Sequence, residues 1–317
     1  MKTFAIIALV GVASLALYSM APSVDSGVET QFQEFLATYG QNYGTTEEYN
    51  YRLGVFKSNL ESIAQMNAED QGVEFAINEF ADQTPEEFAV RFGFKQPVGT
   101  KKSTATHVRA VTSENKDWSG MWDSIKNQGA CGSCWAFSAA ATFEARFELA
   151  HGDTNTDDLY SEQELVDCEP ESDGCQGGLM DYAFDYLVSN GFCTEQQYPY
   201  TARDGTCQIS KCAGGPHDSG FTDVAEKDEQ ALVDELMNGP VAVAVDASRW
   251  QFYRRGIFSN CKDNLNHGVT LVGVNFDEGA LKIRNSWGGS WGESGHIRLA
   301  LNKNTCGVAE AASVPTF

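Results

Sequence analysis

Between Gln128 and Ser138 the chain reads Gln-Gly-Ala-Cys-Gly-Ser-Cys-Trp-Ala-Phe-Ser, a glycine-bearing turn that runs into an alanine-rich stretch with no Gly or Pro before Gly152. Phe143 and Phe147, four residues apart, share one face of the helix predicted over 135–150. Cys134 therefore falls at the N-terminus of a helix. The positive end of a helix dipole and a neighbouring imidazolium lower a thiol's pKa by several units, which turns it into a nucleophile. Two blander readings of the Cys131-x-x-Cys134 pair compete with this one. A zinc site would need a second close Cys pair or a His pair, and the chain has no other Cys-x-x-Cys. A thioredoxin-like redox pair would follow a strand in a short βαβ unit, and none is readable upstream.

Residues 1–21 read as a secretory signal peptide: Met1-Lys2, an apolar run from Phe4 to Leu17, and a small-residue exit at Ser19-Met20-Ala21. That run is too short to span a bilayer, and no later one approaches the roughly 20 residues spanning needs, so no membrane span is expected. Nine cysteines suit an oxidising lumen in which eight pair and one stays free, and the odd one is expected to be Cys134. The formal net charge of −22 argues against nucleic acid and anionic membranes as partners. No Asn-x-Ser/Thr sequon is present, so sorting by Asn-linked glycans is not expected.

The segment 22–111 differs in texture from the rest of the chain and contains no cysteine. Glu48, Arg52, Val55, Phe56, Asn59, Ile63 and Asn67 recur every three or four residues and so line one stripe of a helix. Thr84-Pro85-Glu86-Glu87-Phe88 reads as a capped helix start with Pro in the first turn. Gln96 to Thr106, polar and carrying Lys101 and Lys102, reads as a linker cut during maturation. The remainder, 112–317, changes character near Gly214-Gly215-Pro216. Helices are predicted before it, over 135–150, 161–167 and 179–189. Strands are predicted after it, over 241–245, 269–274, 281–284 and 297–301. The pattern implies an α+β architecture with a helical half and a β half, and ligands favour the cleft between two such halves.

Cys131-Gly132-Ser133-Cys134-Trp135, with His267 in Asn266-His267-Gly268 and Asn285 in Asn285-Ser286-Trp287-Gly288, resembles the papain family of cysteine proteases, and within it the cathepsin L-like enzymes. The resemblance extends upstream. The spacing Glu-x3-Arg-x2-Val-Phe-x2-Asn-x3-Ile-x3-Asn is similar to the long prodomain helix of cathepsin L-like zymogens, which implies that 22–111 is a helical inhibitory prodomain and 112–317 a papain-like two-lobed peptidase domain. Asn78-Glu79-Phe80-Ala81-Asp82 resembles a second prodomain motif that normally opens with Gly where this chain has Ala76. If that position needs a positive φ, alanine costs about 1 kcal/mol there.

The resemblance implies a role for each residue. Cys134 is the nucleophile, His267 its base and Asn285 the orienter of the imidazole, an amide that favours a standing thiolate–imidazolium pair. The other histidines are less suited: His107 is in the linker, His151 and His217 in turns, and His296 opens a strand. Gln128 joins the Cys134 N–H as an oxyanion donor, and Trp287 shields the His267–Asn285 bond. Gly177 and Gly178 admit a substrate backbone as a strand. Leu179, Met180, Ala244, Leu265, Gly268 and Ala311, with Asn266 beside them, line the pocket for the second residue before the scissile bond. That pocket would favour Leu, Phe or Val over Arg. The resemblance implies the disulfides Cys131–Cys175, Cys168–Cys207 and Cys261–Cys306; Cys193 and Cys212 lie outside that set and are expected to form a fourth, with an exchange of partners between Cys207 and Cys212 left open by their closeness in sequence. No metal and no cofactor are expected.

The expected protein is a cysteine endopeptidase made as a zymogen, acting on protein and peptide substrates. No insertion after Cys175 blocks the cleft as it does in cathepsin B. It is a monomer inhibited by its own prodomain, and it travels the secretory pathway to a lysosome or digestive vacuole or out of the cell. The alternative is a catalytically silent papain-fold binding protein, although Cys134, His267, Asn285 and Gln128 are all present. Acid activation is expected to work through carboxylates paired in the zymogen, with Glu48, four residues before Arg52, and Asp82 as candidates.

Overall fold

The computed structural model describes residues 26–95, 113–152, 159–212 and 214–317. The leader, the linker and the boundary at 111/112 lie outside these residues. In chain order the elements are α1 (Ser26–Tyr39), α2 (Thr46–Glu69), β1 (Val73–Phe75), α3 (Pro85–Ala89), β2 (Lys116–Asp117), α4 (Cys134–His151), α5 (Glu162–Cys168) and α6 (Met180–Ser189). They continue with β3 (Phe221–Asp223), α7 (Glu229–Leu236), β4 (Val241–Val245), β5 (Tyr253–Phe258), β6 (His267–Asn275), β7 (Ala280–Arg284), β8 (His296–Ala300) and β9 (Ala312–Pro315).

The helical half is built around α4. Its first twelve residues are buried, so it is a core helix rather than an amphipathic surface one. It ends where Gly152 takes φ 82° and returns its N–H to the carbonyls of Glu148 and Leu149. Its Trp135 and Phe143 share one buried cluster with Leu165, Phe184, Leu187 and Phe192. The β half runs in the order β1-β5-β8-β7-β6-β4-β9-β3, with β2 also on β6. All pairings are antiparallel except β5 with β8. Its core holds Val243, Val245, Leu271, Ile283, Trp250 and Trp291. The α+β class and two-half division agree with the sequence reading. Strands β1, β2, β3, β5 and β9 and helices α1 and α7 were not anticipated.

The prodomain stripe has a structural explanation in its polar members. Asn59 donates from Nδ2 to the carbonyls of Ala81 and Gln83 at 2.8 and 2.9 Å. Asn67 pairs with both the N–H and the C=O of Phe75 at 2.8 Å, which ties β1 to α2. Thr84 and Glu87 form a reciprocal capping box at α3, with Pro85 in its first turn. Two expectations are corrected. Ala76 does not take a positive φ, and its N–H reaches the Phe252 carbonyl at 2.9 Å, so no glycine penalty arises. Arg52 pairs with Glu87 at 2.6 Å and donates to the Asp82 carbonyl at 3.0 Å, rather than pairing with Glu48. Glu48 lies in the first turn of α2, its N–H bound to the Thr45 hydroxyl, while the Asp82 carboxylate accepts from the Tyr43 hydroxyl at 2.6 Å.

Candidate active site

Cys134 is the first residue of α4 and fully buried. It is the one free cysteine; the other eight are joined as Cys131–Cys175, Cys168–Cys207, Cys193–Cys212 and Cys261–Cys306. The first residue of β6, His267, is also fully buried. Strand and helix meet closely: the Gly268 N–H donates to the Cys134 sulfur at 3.3 Å, and a Cβ on Gly268 would lie 3.1 Å from the Cys134 carbonyl. Gly268 is thus placed directly against Cys134. The His267 Nε2 lies 2.8 Å from Asn285 Oδ1. An amide oxygen only accepts, so Nε2 carries the proton. Nδ1 is buried without a hydrogen-bond partner.

Gln128 is fully buried and tightly positioned. Its Oε1 accepts from the Ser286 hydroxyl at 2.7 Å and the Trp287 indole at 3.0 Å, leaving Nε2 to donate. The Trp287 ring lies 4.8 Å from the imidazole, centroid to centroid. Behind this loop Lys126 donates to Glu162 at 2.8 Å and to the Tyr160 carbonyl at 2.8 Å. The Tyr200 hydroxyl donates to the Gln128 carbonyl at 2.8 Å and meets the Ser133 hydroxyl at 2.6 Å.

The cleft is occupied by the prodomain's own main chain. The Gly93 N–H donates to the Cys134 sulfur at 3.2 Å, and the Arg91 carbonyl accepts from Gln128 Nε2 at 2.9 Å. Gly178 donates to the Gly93 carbonyl at 2.8 Å and accepts from the Lys95 N–H at 3.0 Å. A Cβ at Gly178 would strike Ser172 Oγ at 2.3 Å and the Trp135 ring at 2.6 Å, so only glycine lets this strand edge seat against the side chains behind it. Gly177 lies alongside, its backbone facing Gly93. Phe94 is buried in one cluster with Leu179, Met180, Ala244, Leu265 and Ala311. Its N–H donates to the Asn266 carbonyl at 3.1 Å. The Asn266 side chain is turned to the scaffold, accepting from Ala247 N–H and donating to Ser248, both at 2.9 Å.

This prodomain segment was missed in the sequence. Its available signal was Gly93 set between Phe92 and Phe94 just before a polar linker.

Burial pushes the Cys134 thiol up to about 11, against the pull of the Gly268 and Gly93 amides. Burial likewise pushes the His267 imidazole down to about 4, with the Asn285 bond opposing. Under the prodomain, burial thus works against the charged form of each group. Of the other histidines, His107 lies outside the described residues. His151 closes α4 with Nδ1 at 2.7 Å from the Phe147 carbonyl, His217 lies 3.3 Å from the Leu187 carbonyl, and His296 is buried at the start of β8. Among the described residues the one grouping of metal-type ligands is Glu164 with Cys193 and Cys212, whose sulfurs are bonded to each other.

Comparison with known proteins agrees with this geometry. Residues 112–316 match the model of the papain family cysteine protease, and 32–88 match that of the cathepsin propeptide inhibitor domain. Cathepsin L 1 of Paramecium tetraurelia is 44% identical over 286 residues, covering 87% of this chain and 89% of that protein. The structure of digestive procathepsin L 3 from Tenebrio molitor larval midgut superposes with a TM-score of 0.79 at 35% identity, covering 92% of this chain and 99% of that one. The recombinant stem bromelain precursor gives a TM-score of 0.83 at 31% identity, covering 92% and 99%.

Proposed function

This chain belongs to the papain family of cysteine proteases, and from that premise we propose that Cys134 is the nucleophile of an endopeptidase whose base is His267. The enzyme is made as a zymogen with its own propeptide as inhibitor. His267 Nδ1 takes the thiol proton, and the sulfur attacks the scissile carbonyl. The Cys134 N–H and Gln128 Nε2 hold the resulting oxyanion. Its collapse breaks the C–N bond as the imidazolium returns the proton to the leaving amine. Water, deprotonated by the same imidazole, then cleaves the thioester. Asn285 keeps the ring in the tautomer that leaves Nδ1 free to accept, and Trp287 shields that bond.

The observation that carries this reading is the Arg91 carbonyl on Gln128 Nε2 beside the Gly93 amide on Cys134. A polypeptide backbone already sits where a scissile one would. Phe94 among Leu179, Met180, Ala244, Leu265 and Ala311 supports a preference for an apolar residue two before the cleavage site. Arg there would strand its charge. No observation favours a silent binding protein.

Four disulfides suit passage through the secretory pathway, and a lysosome-like or digestive vacuole, or the extracellular space, is the site of action. Residues 1–21 are the leader, 22–111 the prodomain and 112–317 the enzyme. It works as a monomer without nucleic acid. Among the described residues no helix is long and apolar enough to cross a membrane.

Cys134→Ala tests the assignment. The variant is expected to fold and be secreted, since the other eight cysteines still pair, yet to hydrolyse nothing. Residual turnover above about a hundredth of wild type would overturn the role of Cys134.

A further inference from the structure

Strand β5 is paired on one side with β8 and on the other with the prodomain strand β1. In register, Glu74 faces Arg255 and Phe75 faces Tyr253. The Glu74 carboxylate reaches both Arg255 Nε at 2.6 Å and Arg254 Nη1 at 3.0 Å. Nearby, Arg249 meets Glu69 at 2.9 Å and Asp70 at 3.4 Å. Phe75, 2% exposed, packs edge-on against Phe258 with ring centroids 6.2 Å apart.

Residues 112–317 carry 14 Lys and Arg against 31 Asp and Glu. Three of those fourteen cations are gathered on this edge, so the basic patch stands out from an acidic domain. Cleavage of the linker removes β1 and leaves β5 as an open strand edge, a template for another extended segment. The edge keeps main-chain groups, the Phe258 ring against which Phe75 packs, and Arg254 and Arg255, exposed even beneath the prodomain.

We propose that the β5 edge of the activated enzyme is an exosite for protein substrates, taking an extended segment with an acidic residue followed by an aromatic one. The inference rests on the endopeptidase reading and adds a second point of substrate capture outside the cleft. The aromatic contact with Phe258 supplies most of the affinity, because exposed ion pairs contribute little. The arginines select against basic segments and speed encounter with acidic ones. Short peptides reach only the cleft, so the exosite acts on proteins alone.

The test uses enzyme obtained by acid activation of the full chain. A fluorescein-labelled peptide with the sequence of residues 70–78 is titrated into enzyme blocked by a substrate-like epoxide. It is expected to bind, to lose about tenfold in affinity when its Phe75 is replaced by Ala, and to lose severalfold when its Glu74 is replaced by Lys. In active enzyme the unlabelled peptide should slow casein hydrolysis and leave hydrolysis of a short Phe-Arg substrate unchanged. A zymogen carrying Glu74→Arg, Arg254→Glu and Arg255→Glu preserves the opposite-charge contact until activation. Its mature form should lose about threefold to tenfold in casein kcat/KM with the short-substrate rate intact. Equal casein rates in that variant, no binding of the peptide, or equal displacement of the peptide by dextran sulfate and by the scrambled sequence would each overturn the exosite. If the variant fails to fold, peptide competition against the wild-type enzyme decides alone. Loss of short-substrate turnover in the wild-type enzyme would instead strike the protease reading.

Discussion

The side-chain amide of Gln128 donates to the carbonyl of Arg91 at 2.9 Å. The group assigned to hold the oxyanion is thus engaged by the prodomain before any substrate arrives. Gln128→Ala, assayed after activation on a short peptide, is expected to lower kcat about 10²-fold to 10³-fold, the cost of one oxyanion donor, with KM little changed. An unchanged kcat would take Gln128 out of the oxyanion hole.

Gly93 lies tightly against the main chain of the enzyme, its carbonyl bound to the Gly178 N–H and its own N–H on the Cys134 sulfur. A Cβ there would lie 1.7 Å from the Gly132 carbonyl oxygen, so the tail must lift for any other residue to fit. Gly93→Ala is expected to weaken inhibition by at least about tenfold, or ~1.4 kcal/mol. The activated enzyme should be unchanged, since residue 93 is removed with the prodomain. The rate of peptide hydrolysis by the intact zymogen at neutral pH measures this.

The Arg52 guanidinium beside Glu87 holds that carboxyl below its ordinary value, with a backbone bond from Thr84 helping against burial. A depressed folded pKa gives stabilisation that is complete above the unfolded value, near ~4.3, and is lost as pH falls through the folded one. Glu87→Gln removes that contribution at neutral pH. Self-processing should then begin at higher pH and depend less on acid, whereas Glu48→Gln, which breaks no pair with Arg52, should leave the profile unmoved. Processing rates followed from about pH 3 to pH 7 decide between the two carboxylates.

Thiol chemistry should report the prodomain directly. Burial pushes the Cys134 thiol up to about 11 and the His267 imidazole down to about 4, so the covering prodomain works against a charged pair near neutrality. Withdrawal of the tail restores water and allows the proton to pass from sulfur to ring. Alkylation by iodoacetamide near pH 6 is expected to be at least about a hundredfold faster in the activated enzyme than in the zymogen. Equal rates would mean that the prodomain does not set the ionisation of the pair.

Local chemistry made the catalytic half legible. Helix α4 is readable because an unbroken alanine-rich run succeeds a glycine turn, and Cys134 begins it as expected. Strands β4, β6, β7 and β8 declare themselves by β-branched residues. Strand β5 does not: its Tyr-Arg-Arg-Gly-Ile-Phe sequence carries two adjacent arginines and a glycine, and its outer edge is explained only by a partner that begins at Val73, far away in sequence. The same distance hid the partner of Arg52. Spacing on α2 favoured Glu48, four residues away, whereas the fold delivers Glu87 from the next helix. Asn266 was readable as a neighbour of the pocket, but which of its groups faces ligand depends on Ala247 and Ser248, which local sequence does not specify.

In this mechanism Cys134 is a nucleophile that the prodomain masks. Titration with a thiol-directed, substrate-like epoxide, read by peptide mass mapping, tests it most directly. The activated enzyme should take up one equivalent on Cys134 alone, rapidly and with protection by a peptide substrate, while the zymogen reacts far more slowly. Modification at another residue, or labelling of Cys134 that substrate does not slow, would contradict it.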